Sequence, residues 1–127
     1  WDASRHTLGV AAMDATHHAF CALADRLAAA DEAAFAPLFA ELLAHTREHF
    51  AAEDTQMKAI RFSALGEHLA EHQRVLAELR SFQRAVLAGR TRMARAYVGD
   101  HLRAWFDLHL ATMDAALAAH LRKLGAG

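Results

Sequence analysis

A chain of 127 residues, 54% of them apolar, is long enough for one real core and is expected to form a single domain over residues 1–127. Its formal net charge of −1 gives no ground for nucleic acid or an anionic membrane as a partner, and one cysteine excludes an intrachain disulfide framework. With one proline and six glycines beside abundant Ala and Leu, the composition is that of an all-α chain.

Apolar residues recur at three- and four-residue steps through four segments. The first runs from about Val10 to Ala30, with Met13, Phe20, Leu23 and Leu27 on one side. Asp31 offers an N-cap for a second, ending near Ile60, with Phe35, Leu38, Leu42 and Met57 inward and Pro37 early in the segment. Ser63 is expected to cap a third, which carries Leu65, Val75, Leu76, Leu79, Phe82 and Val86 and stops at Gly89. Thr91 is expected to cap a fourth, with Tyr97, Leu102, Trp105, Leu108 and Leu121 inward and Gly125 at its end. Gly99, inside it, is expected to mark a close helix contact. Short connections favour antiparallel neighbours, hence an up-down-up-down four-helix bundle with an N-terminal arm, residues 1–9, anchored by Trp1. No apolar run reaches the length of a membrane span, and no secretory signal opens the chain. With the lone Cys21, this leads to an expected cytoplasmic location. Trp1 in the place of an initiator Met is expected of a processed chain or a piece of a longer one.

The unusual count is histidine, at ten. A helix advances about 100° per residue, so residues four apart share a face. His49 and Glu53 continue the second apolar stripe, and His68 and His72 the third. His17 lies four residues after Met13, and His109 four after Trp105. Five imidazoles and a carboxylate thus point into the apolar centre from all four helices. One hydrogen-bonded core histidine would be ordinary. Six such groups at one level leave acceptors without donors, at roughly 1–3 kcal/mol for each unsatisfied group, and metal ions satisfy them. Five imidazoles exceed a tetrahedral zinc site, and carboxylates bridge cations, so a dinuclear centre is expected. Mixed imidazole and carboxylate ligation suits iron, with Mn, Co or Zn able to occupy it in vitro. The Glu-x-x-His pairs of ferritin-like di-iron proteins are missing.

At these residues the chain resembles the hemerythrin family, in particular its single-domain bacterial members, from Trp1 to about His120. The matching pieces are M-D-A-T-H ending at His17, H-F-A-A-E-D with His49 and Glu53, H-L-A-E-H with His68 and His72, and W-F-D-L-H-L-A-T-M-D with His109 and Asp114. The resemblance implies two non-haem Fe ions bridged by an oxo or hydroxo group. His68, His72 and His109 would bind one, His17 and His49 the other, with Glu53 and Asp114 bridging. Three imidazoles and three bridging oxygens fill six positions; two imidazoles and the same bridges leave one position open. In the family that vacancy takes O2 reversibly, or a small anion such as azide. The expected function is therefore O2 storage, delivery or sensing rather than catalysis. A di-iron enzyme acting on O2, peroxide or nitric oxide stands as the alternative, as does an O2- or redox-sensing module joined to a signalling partner. Asp114 lies five residues after His109, about 140° around a regular helix, so the two side chains must straddle the inward direction or the helix must widen into a π-type turn.

The remaining residues read as supporting parts. Thr16 and His18 stand where Gln and Lys are common in the family, and His18 is expected to be exposed. His45, where Tyr is frequent, is expected to pack beside the ligands. Phe106 replaces a common Leu near the O2 pocket. His101 is expected to take an ordinary amphipathic placement, with a neighbouring groove as the alternative, His6 and His120 at the periphery, Cys21 as a buried thiol, and Arg90, Arg92 and Arg95 on a solvated face.

Overall fold

In the computed structural model, which describes residues 1–125, the four expected segments are all helical. The arm carries one short turn, α1 (Ala3–His6), whose N-terminal Ser4 N–H donates to the Asp2 carboxylate. The long helices are α2 (Ala11–Ala29), α3 (Glu32–Ala59), α4 (Leu65–Leu87) and α5 (residues 92–123). Connections of two to five residues turn the chain back on itself each time, giving the up-down-up-down bundle. Asp31 caps α3 as expected, accepting from the Ala34 N–H at 2.8 Å and satisfying one of the free donors of the first turn. Pro37 sits within α3 at an exposed position, one turn after Ala33, which is exposed as well. Gly89 (φ 83°) and Gly125 (φ 75°) end α4 and α5 in the left-handed conformation that glycine adopts without strain.

Several expectations are corrected. Ser63 does not cap α4, which starts behind Ala64 with no side-chain cap. Thr91 precedes α5 but gives its hydroxyl to Glu32 rather than to a first-turn N–H. Gly99 is exposed, and a Cβ there would meet open space, so no close helix contact explains it. Leu108 is 67% exposed: it precedes the inward His109 by one residue, a rotation of about 100° that carries it to the solvent side. The fourth helix is also not uniformly α. It widens into π geometry twice, at Tyr97–Leu102 and Leu110–Asp114.

The interior is layered. A larger apolar cluster includes Leu27, Phe35, Phe39, Leu42, Leu79 and Leu102. A smaller one at the other end joins Val10, Met13, Met57, Phe62, Leu117 and Leu121. Along each long helix a polar group falls between the two: His17 between Met13 and Phe20, His49 and Glu53 between Leu42 and Met57, His68 and His72 ahead of Val75, and Asp114 between Leu110 and Leu117. No helix among the described residues is long and apolar enough to cross a membrane.

Candidate metal centre

The buried polar layer holds all seven residues singled out from the sequence: His17, His49, Glu53, His68, His72, His109 and Asp114. Two groups of them bring one potential ligand atom each within 4.8 Å of one another: His17, His49 and Glu53 in one, Glu53, His68, His72, His109 and Asp114 in the other. The carboxylates lie between the imidazoles. Glu53 Oε2 is 2.8 Å from His49 Nε2 and 3.5 Å from His17 Nε2, while its Oε1 is 3.3 Å from His72 Nε2 and 3.4 Å from His68 Nε2. Asp114 Oδ2 is 3.2 Å from His17 Nε2, and its Oδ1 is 3.1 Å and 3.2 Å from the Nε2 atoms of His68 and His109. Glu53 therefore faces two imidazoles with each oxygen, and Asp114 faces one with Oδ2 and two with Oδ1, so both acids lie between the His17 side and the His68 side.

Asp114 reaches this position because of the wide turn at Leu110–Asp114. On a regular helix a five-residue step from His109 would swing it well off the inward direction; π geometry brings residues five apart nearly into line. Of the two solutions open to the sequence, the structure takes the local widening.

The donor set fits a cation better than it fits itself. Both ring nitrogens of His17, His68 and His109, Nε2 of His72, Nδ1 of His49, Glu53 Oε1 and Asp114 Oδ1 are buried without a hydrogen-bond partner of good geometry. Burial would raise the Glu53 pKa, yet the facing imidazoles of His17, His49, His68 and His72 hold it well below the usual range. Burial and the Glu53 charge likewise raise Asp114, and His109, His17 and His68 pull it below its ordinary value. Burial should depress His17 and His68, but the Asp114 and Glu53 carboxylates lift both to about 9. Two anions in an apolar interior thus demand positive charge, from protons on imidazole or from metal ions on the same nitrogens. Ions placed among the Nε2 atoms would meet both oxygens of each acid at once.

Residues outside the seven shape the surroundings. His72 Nδ1 lies 2.8 Å from Asp54 Oδ1, so the Nδ1–H donates to that carboxylate and Nε2 is left with its lone pair toward the cluster. Sequence reading gave Asp54 no role, because its partner comes from another helix. Phe50 stacks on His72 with ring centroids 3.9 Å apart, and Trp105 stacks on His109 at 4.5 Å. The Trp105 indole N–H is anchored at 3.0 Å on Glu71, whose pKa is lowered to about 2 by Arg74 and by that bond. Phe106 meets His17 edge-on at 5.7 Å.

The other histidines divide. His18 is exposed, against Trp1. His101 is exposed in a surface groove with Tyr97 and Trp105. His120 is half-buried on Phe62. His45 is half-buried beside His49, and burial lowers its pKa. His6 corrects the expectation of a peripheral position: it is buried, with Nδ1 accepting from the Asp2 N–H and Nε2 donating to Asp107 at 2.9 Å, and it ties the arm to α5. Cys21 is buried as expected. Arg95 is not a solvated charge, since its guanidinium lies 4.4 Å over the Phe35 ring.

A helical bundle whose central layer is a buried set of imidazoles and carboxylates able to hold metal ions defines the class of protein to which this chain is compared. Residues 8–121 match the family model described as the hemerythrin HHE cation binding domain. The chain is also 38% identical over 125 residues to a bacteriohemerythrin of Ralstonia nicotianae (strain ATCC BAA-1114 / GMI1000), covering 98% of this chain and 90% of that protein. This chain belongs to the hemerythrin family. Among solved structures, none matches significantly.

Proposed function

We propose that the chain holds two non-haem iron ions in one oxo- or hydroxo-bridged centre and uses it to bind O2 reversibly, for storage, delivery or sensing. The observation that carries this reading is the division of each carboxylate. Glu53 and Asp114 both turn one oxygen to the His17 side and the other to the His68 side, an arrangement suited to two cations and wasteful for one. In this reading His68, His72 and His109 complete one side, while His17 and His49 leave the other a ligand short. Iron, when bound, supplies the electrons and the open coordination position that O2 requires.

The protein's part is to hold and insulate. Glu53 and Asp114 neutralise the positive charge from inside the layer. Asp54 fixes the His72 ring in the tautomer whose Nε2 can ligate. Phe50, Trp105 and Phe106 cover the His72, His109 and His17 rings. Carriage rather than turnover is favoured because the depression beside His49 and Glu53 is lined by no acid or histidine outside the seven, and peroxide release would need protons delivered to the bound oxygen.

Metal analysis of the protein as purified, with an optical spectrum of the oxidised form with and without azide, tests the centre. Two irons per chain and an azide-dependent band are the expected outcome; one ion, or two that are not iron, would refute it. Stopped-flow mixing of the reduced protein with O2 then tests function. A stable adduct that releases O2 under argon is expected, whereas prompt oxidation with product release would make the protein a catalyst.

A further inference from the structure

The seven cluster residues are not equally sealed. His17, His68, His72 and Asp114 are at most 1% exposed, whereas His49 is 8% and Glu53 5% exposed. His109, also 5% exposed, lies against the Trp105 ring, and none of the depressions described on the surface reaches it. His49 and Glu53 instead floor a depression of about 90 Å³ between α2 and α3. Its walls are Ala12, Met13 and Thr16 on α2 and Ala52 and Gln56 on α3. These positions recur at three- and four-residue steps, so they form the facing surfaces of two antiparallel neighbours. Each helix places an alanine at the rim, where any longer side chain would close the seam. The volume admits a few water-sized molecules.

Aromatic rings stand over three of the other imidazoles. Phe50 covers His72, Trp105 covers His109, and Phe106 stands edge-on to His17. The cavity of about 170 Å³ under the N-terminal arm ends at Phe106 and Phe20 without reaching a cluster residue. A second depression, about 240 Å³, does reach His68 past Thr112 and Ala116, but His68 is 1% exposed and belongs to the three-imidazole side.

We infer that the α2–α3 seam at Ala12 and Ala52 is the route by which water and small ligands, diatomic gases or triatomic monoanions, reach the two-imidazole side of the cluster. This rests on the di-iron reading for what happens at the end of the route, but not for the route itself. Its narrowness selects by size: O2 and azide pass, and larger reductants are kept from the centre. Gln56 is the polar side chain of the rim free to meet an incoming anion, because the Thr16 hydroxyl is committed to the Ala12 carbonyl at 2.9 Å.

Two measurements test it on the purified protein. In the first, azide association and dissociation are followed by stopped flow in Ala52→Leu, Ala12→Leu and, on the opposite depression, Ala116→Leu. Both rates should fall together by about ten-fold in the two seam variants, a barrier increase of about 1.4 kcal/mol, with iron content and Kd unchanged. Ala116→Leu should leave them as they were. Unchanged rates in both seam variants, or slowing in Ala116→Leu alone, would overturn the inference. In the second, crystals are pressurised with xenon, which needs no iron. A xenon site in the seam that vanishes in Ala52→Leu is expected, and xenon confined to the Trp105–Phe106 side would refute the route. Failure of the di-iron reading would appear separately, as protein lacking iron and the azide band while the xenon result stands alone.

Discussion

Leu79 and His72 lie on the same helix, two turns apart, and both are at most 1% exposed. Leu79 is surrounded by apolar side chains of the larger cluster, and its burial is simply favourable. His72 keeps one nitrogen without a partner, sits between Phe50 and two carboxylates, and belongs to a layer that gains nothing from burial until positive charge enters it. The same bundle therefore contains two kinds of interior. One is stable because it excludes polarity; the other concentrates polarity beyond what its own hydrogen bonds can satisfy. A fold needing only a core would not keep the second, so stability belongs to the apolar layers and chemistry to the polar one.

That division can be broken most severely at Glu53. Glu53→Ala removes an oxygen from both imidazole groups, and metal analysis should find fewer than two ions per chain. Two tightly held ions in this variant would mean the bridge is misassigned.

Removing the metal should invert the pH response of the whole protein. Without ions, His17 and His68, lifted from 6.5 to about 9, hold protons that the unfolded chain would release. Their contribution is complete below about 6.5 and is lost as pH rises through about 9. Glu53 and Asp114, held below their ordinary 4.5 and 3.8, contribute above those values and lose their effect on acidification. The metal-free protein should thus melt at its highest temperature near pH 5–6.5 and lower toward pH 9. The loaded protein must keep its imidazoles neutral and should instead lose metal and Tm as pH falls. Parallel Tm-versus-pH curves for the two forms would contradict the charge balance described for the polar layer.

Leu79→Ala sharpens the contrast from the other side. It should cost about 2–5 kcal/mol in chemical denaturation while leaving metal content intact. Equal loss of metal and stability would mean the layers are not separable. The smallest expected effect is at Asp54. Asp54→Asn should weaken metal affinity by about 10–100-fold, some 1.4–2.7 kcal/mol, through the His72 ring alone. Chelator competition would measure it, and an unchanged affinity would leave Asp54 a bystander.

How much of this was readable from the chain depends on whether a residue's partners are local. His49 and Glu53, or His68 and His72, announce themselves because four-residue spacing and an apolar stripe are properties of one helix. Asp54 did not, since one position past Glu53 it should face away, and only the approach of α4 gives it His72 as a partner. The burial of His6 is illegible for the same reason: its partner Asp107 is 101 residues away. Leu108 looks inward by hydrophobicity alone, but its phase relative to His109 turns it to solvent. The wide turn before Asp114 was legible as one of two answers to an awkward spacing, whereas the one at Tyr97–Leu102 left no mark in the sequence.

The turn at Leu110–Asp114 acts as a phase dislocation in an otherwise periodic rod. It lets α5 aim both His109 and Asp114 at one point and then resume its former alignment, so that Leu117, Ala118 and Leu121 still close the lower cluster. Were those five residues wound as a regular helix, Asp114 would stand about 140° around the axis from His109 and the acid would be turned away from its partners. The defect, rather than the regular spiral around it, is what allows one helix to serve both interiors.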